Sequence, residues 1–99
     1  MVEGAPSLIV TEGKVSMPFI QKTFATNVFS DPQSHSAEIA GLKQASKDFI
    51  ARLPASERTY GPLINVVADK NVTYKNLYDA VKVVRESGFE TLMFVTSEK

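Results

Sequence analysis

The chain predicts an α+β domain in which two helices pack on one face of a four- to five-stranded mixed sheet, in the order hairpin, helix, then β-α-β. Three observations carry that expectation. The stretch from Leu8 to Met17 alternates apolar and polar residues about a Glu-Gly tip, the pattern of a half-buried antiparallel pair. "LINVVA" (63–68) and "TLMFVT" (91–96) are short apolar runs bounded by polar residues, as buried strands require. Two further segments repeat their apolar residues at helical spacing. Ninety-nine residues make one domain with a small core.

Each element follows in turn. Residues 1–7 predict a flexible start. With Glu12-Gly13 at the hairpin tip, Val10 faces Val15 and Leu8 faces Met17, and these four form one apolar face. Thr11, Lys14 and Ser16 lie on the other with Ile9. Glu tolerates positive φ poorly, so a Gly-containing bulged turn competes with a tight two-residue one. Residues 18–35 predict a long variable connection. Within it Thr23–Phe29 could add a third strand, with Phe24, Thr26 and Val28 on one side, before the turn chemistry of "SDPQSHS". Phe19, Phe24 and Phe29 either cover the edge of the core or form a partner-binding surface.

Ser36 can cap a helix that runs to about Leu53. Ile39, Leu42, Phe49, Ile50 and Leu53 share one side of it, and Lys43, Gln44 and Lys47 fall opposite. Pro54 stops the helix, because proline disfavours helical geometry in the residue before it. "ASERTYGP" then reads as a connecting loop. The run 63–68 suits a strand covered on both faces. Thr73 is an N-cap for a helix from Tyr74 to Ser87, with Tyr74, Leu77, Val81 and Val84 as its buried stripe. Lys75, Asp79, Lys82 and Glu86 form a solvated stripe, and Val83 is the one apolar residue within it. Gly88 is placed as the left-handed residue that ends this helix, with Phe89 packing back on the last turn. If the flanking strands are parallel, their crossover is right-handed.

The composition excludes several classes of function. Eleven basic residues balance eleven acidic ones. Neither a basic arm nor an acidic tail is present, so no nucleic acid is expected as a partner. The absence of Cys removes disulfides, thiolate metal sites and Cys nucleophiles. No apolar run approaches the roughly 18 residues that span a bilayer. "MVEGAPSLIV" lacks the basic and apolar regions of a secretory signal. If the protein works outside the cytosol, its targeting part lies outside these residues.

Asp69 is the one residue that invites a catalytic reading, because an acid at the end of an α/β strand often does chemistry. Its companions are missing. The glycines stand at 4, 13, 41, 61 and 88, which gives neither a phosphate loop nor a dinucleotide fingerprint. No acidic pair occurs at an earlier strand end, so Asp69 is expected to form a turn by bonding nearby backbone N–H groups. His35, the single histidine, is expected to be solvated and makes no metal site alone. Tyr60, Tyr74 and Tyr78 are too scattered for a base-stacking platform. No catalytic residue, cofactor or metal is expected. The residues by themselves favour an interaction module over an enzyme, with a small-ligand domain or enzyme built around Asp69, or a purely structural scaffold, as alternatives.

The last 36 residues, from Ile64, carry a run of features at fixed spacing: Ala68-Asp69 at a strand end, Lys70, Val72 and Tyr74 leading into an amphipathic helix, then Gly88-Phe89 before a final apolar strand. This segment resembles the C-terminal part of the ExbD/TolR family of biopolymer-transport proteins. The resemblance implies a periplasmic domain of a single-pass bacterial inner-membrane protein. It implies an upstream transmembrane helix that carries the proton-bearing Asp and meets an ExbB/TolQ-like membrane subunit. It implies a proton-motive-force-driven motor that serves TonB-dependent uptake or the Tol-Pal system. The implied partners are a second copy in a homodimer, a TonB- or TolA-like transducer and, for TolR-like members, peptidoglycan. The long 18–35 stretch departs from the family pattern, and no partner-binding residue carries over one by one. An edge strand, in the hairpin or at the chain's end, is the expected grip.

Overall fold

The alternation between Leu8 and Met17 produces the hairpin it predicts. In a computed structural model, which describes residues 4–59 and 61–97, β1 (Ser7–Val10) and β2 (Lys14–Met17) pair antiparallel with Val10 opposite Val15. Leu8, Val10, Val15 and Met17 are wholly buried on one face. β1 starts inside the stretch expected to be a flexible start, and the Pro6 carbonyl accepts the Asn65 N–H at 2.9 Å. The tip closes with the Thr11 N–H donating to the Lys14 carbonyl at 2.9 Å. Neither Glu12 nor Gly13 has positive φ, so the left-handed glycine of a bulged turn is not used.

The connection from Pro18 to His35 is built structure. Pro18–Ile20 makes one 3-10 turn and Gln21 leaves it in the left-handed region at φ 56°. β3 (Lys22–Ala25) then pairs antiparallel with β2. The third strand is therefore real but shorter than Thr23–Phe29. The chain leaves it at Thr26, whose N–H donates to the Gly13 carbonyl, and turns into the short helix α1 (Asn27–Ser30). Val28 and Phe29 are buried by that turn, on a helix rather than on a strand face. A strand through this point would place Val28 and Phe29 on opposite faces, whereas a helical turn buries both.

α2 spans Ser36–Ala51, two residues short of the expected Leu53, and its N-cap position is His35 rather than Ser36. Ile39, Leu42 and Ser46 are its buried residues, with Phe49, Ile50 and Leu53 half-buried. The segment expected to be a loop after Pro54 folds into α3 (Ala55–Thr59), where Pro54 supplies the first helical carbonyl to the Arg58 N–H. β4 (Leu63–Asp69) and β5 (Thr91–Ser97) are parallel and are linked by α4 (Tyr74–Glu86).

The sheet order is β3-β2-β1-β4-β5, with β1 parallel to β4. The fold is thus α+β with a five-stranded mixed sheet. α2 and α4 are its two long helices, packed against each other and with α1 above the buried face. β4 meets the two long helices on that face. Ile64 and Val66 point into the core, while Leu63 and Val67 lie half-buried on the other face beside Ile9 and Val95. Asn65, between Leu63 and Val67 on that other face, is buried, so the double coverage expected for β4 holds in part.

Both ends of α4 behave as local chemistry dictates. The Thr73 hydroxyl accepts the Asn76 N–H at 3.2 Å. At the other end Gly88 takes φ 117°, its N–H donates to the Arg85 carbonyl, and the Phe89 N–H reaches the Val84 carbonyl. This double bond pattern closes the helix, and Phe89 is buried against it.

Candidate interaction surface

The residues that the sequence singles out separate into two groups. Ala68 shares the core-side row of the sheet with Val10, Val72 packs on the core, and Phe89 is fully buried below Gly88. These are structural. Asp69 forms its turn through the main chain, since its carbonyl accepts the Val72 N–H at 3.0 Å. Its carboxylate has no hydrogen bond or ion pair among the described residues, which corrects the expectation that the side chain makes the turn. By strand alternation it lies on the face opposite Ile64 and Val66. Lys70 is exposed.

Tyr74 is the main correction. Placed in the buried stripe by its spacing, it is 81 % exposed. The cause is the seat of α4, which lies between the sheet, α1 and α2 and so is covered on two flanks. Ala80, Val81, Val83 and Val84 fill that broad buried arc with Leu77 at its margin. Val83, expected in the solvated stripe, is therefore core. Tyr74 stands on the first turn, outside the arc, and its ring stacks on Tyr78 with centroids 6.4 Å apart and planes 22° apart.

From there an exposed stripe runs along α4 through Lys82 to Arg85. Tyr78, Val81, Lys82, Arg85 and Glu86 border a shallow cavity of about 260 Å³. The acids of α4 nearby are already engaged. Asp79 takes Lys75 at 2.8 Å, and Glu86 takes Lys43 of α2 at 2.8 Å. The hydrogen bond from Lys43 holds the Glu86 carboxyl below the usual glutamate range. Lys43 and Glu86, expected on solvated faces, thus bridge α2 to α4. Lys82 and Arg85 have no ion pair among the described residues. The sequence signal for this stripe is the i, i+4, i+8, i+11 series Tyr74, Tyr78, Lys82, Arg85, which the apolar spacing of Tyr74 with Leu77 obscures.

The sheet offers a second surface. β5 pairs only with β4, so its outer edge is unpaired among the described residues. Thr91–Ser97 contains neither charge nor proline, the devices that usually protect an edge. Met93 is 40 % and Phe94 59 % exposed, on opposite faces of the strand. The opposite edge, β3, is four residues long and begins with Lys22. The hairpin supplies no free edge, since β1 and β2 are both paired on two sides.

Phe19, Phe24 and Phe29 support the core edge. Phe19 meets Phe49 and Phe89 edge-on at 5.1 and 5.5 Å, and Phe24 meets Phe29 at 5.8 Å. His35 is half-buried rather than solvated. Its Nδ1 lies 3.0 Å from the Asp31 carbonyl, which can only accept, so Nδ1 carries a proton there. Tyr60 lies outside the described residues. Among the described residues no three His, Asp or Glu side chains converge on a metal-sized site, and no helix is long and apolar enough to cross a membrane. The chain matches no protein-family model, no curated protein and no solved structure.

Proposed function

We infer that this chain is an ExbD/TolR-like periplasmic domain of a proton-motive-force-driven motor subunit. It is a mechanical module rather than an enzyme. It dimerises and engages a TonB- or TolA-like transducer or the cell wall, while an upstream membrane helix meets an ExbB/TolQ-like subunit. The observation that supports this reading best is the unguarded β5 edge. A charge-free edge of seven residues with exposed Met93 and Phe94 is a template for another strand. The motif from Ala68 to Phe89 supports it independently, because four of its residues build the β-α-β unit that presents this edge.

The test is a Met93→Lys/Phe94→Lys variant compared with the parent by sedimentation and by NMR titration with transducer peptides and muropeptides. The parent is expected to dimerise or to show shifts along β5, and the variant to do neither while keeping its fold. A parent that stays monomeric at high concentration and binds none of these probes overturns the reading.

A further inference from the structure

The exposed stripe of α4 has a chemistry of its own. Its aromatic end offers two stacked tyrosine rings, one 81 % and the other 54 % exposed. Exposed aromatic clusters and arginine are enriched where proteins bind partners. Its other end offers Lys82 and Arg85, both exposed and without an ion-pair contact among the described residues, although Lys82 lies near enough to Glu86 to help lower its pKa. The chain as a whole is neutral. Local positive charge arises here because Asp79 and Glu86 are each held by a lysine at 2.8 Å.

We propose that the α4 face from Tyr74 to Arg85 binds an extended acidic peptide segment of a partner protein. Carboxylates of the peptide meet Lys82 and Arg85, Arg85 being able to hold one through two parallel hydrogen bonds. An apolar, aromatic or proline side chain of the peptide lies on the tyrosine step. Size agrees with this occupant. Eleven helical rises separate Tyr74 from Arg85, roughly 16 Å, which an extended chain covers in about five residues. The shallow cavity of about 260 Å³ beside Val81 has room for a side chain or two of such a peptide. A nucleic acid is disfavoured, since the positive charge is confined to two side chains of a neutral chain and does not extend along a phosphate backbone. A neutral glycan can also lie on the tyrosine step but would draw nothing from the charge of Lys82 and Arg85, so the chitooligosaccharide is an arm of the test.

This inference deepens the interaction-module reading by naming the partner's chemistry, but it concerns a different surface from the β5 edge. The test uses a labelled pentapeptide, Glu-Phe-Glu-Pro-Glu, its all-Gln counterpart and a chitooligosaccharide, followed by NMR shifts and fluorescence anisotropy. Shifts from the acidic peptide are expected to cluster on residues 74–86. Its affinity is expected to fall about fivefold as salt rises from about 50 to 300 mM. Arg85→Glu is expected to weaken it roughly tenfold and Tyr78→Ala about fivefold. Lys47→Glu, on the exposed side of α2, is expected to change nothing. Equal binding of the Gln peptide, preferential binding of the chitooligosaccharide at residues 74–86, or no binding of the acidic peptide overturns the proposal. Shifts confined to β5 also overturn it, while leaving the edge-strand reading intact.

Discussion

The Ser46 hydroxyl lies wholly buried on α2 with no hydrogen-bond partner among the described residues. A hydroxyl taken out of water without a partner costs about 1–3 kcal/mol. Ser46→Ala is therefore expected to stabilise the domain by about 1 kcal/mol in urea unfolding. A loss of that size would show that the hydroxyl is bonded. Gly88 works in the opposite sense. Its φ of 117° suits only glycine, and an added Cβ would meet Ile50 Cδ1 at 3.2 Å. Gly88→Ala is expected to cost roughly 1–3 kcal/mol, read as a lowered thermal midpoint. These two residues also mark what the sequence can convey. Gly88 is legible because a helix end is decided within a few residues. Ser46 is not, because its burial depends on how α2 seats against the rest of the fold.

Between elements, the Lys43–Glu86 pair ties α2 to α4. The Glu86 pKa is lowered first by the Lys43 hydrogen bond, against a smaller opposing effect of burial. The folded state therefore binds this proton more weakly than the unfolded chain. The stabilisation is complete above the ordinary glutamate pKa and is lost as pH falls through the lowered one. Glu86→Gln is expected to flatten the stability profile between about pH 5 and pH 3. The effect stays under about 1 kcal/mol, because both side chains are partly exposed and water screens them. Denaturant midpoints across that range, with and without salt, check it. At this scale the sequence is right about the two long helices, misses the short α1 and α3, and is wrong about how α4 is rotated. Spacing alone allows Tyr74 to join Leu77 and Val81. Only the flanking positions of α1 and α2, which spacing does not encode, bring Val83 inward and turn Tyr74 out. Thr23–Phe29 fails for a related reason, since a short apolar run is ambiguous between strand and helix.

For the whole molecule, Phe19 is the joint. It touches Phe49 of α2 and Phe89 after α4, so one ring on the 3-10 turn unites the hairpin half with the β-α-β half. Phe19→Ala is expected to destabilise by about 2–4 kcal/mol, a drop of roughly 10–25 °C in thermal midpoint for a chain of this length. A shift under about 3 °C would mean that the aromatic contacts carry little. The overall layers are legible because they follow from periodicity. The candidate surfaces are only partly so. A free final strand is a topological expectation that the sheet order satisfies, whereas the tyrosine-to-arginine stripe emerges from the orientation of a packed helix. One further consequence follows from the sheet order. β1, the first strand of the chain, lies in the middle of the sheet, bonded to β2 on one side and to β4 on the other. Tension that enters at Ser7 and leaves through β5 loads two parallel ladders lengthwise, and β1–β4, with four paired positions against seven for β4–β5, is the shorter. The bonds of that ladder then share the load and break together instead of peeling one at a time. A pull applied at these two points therefore acts along the strands and not across them.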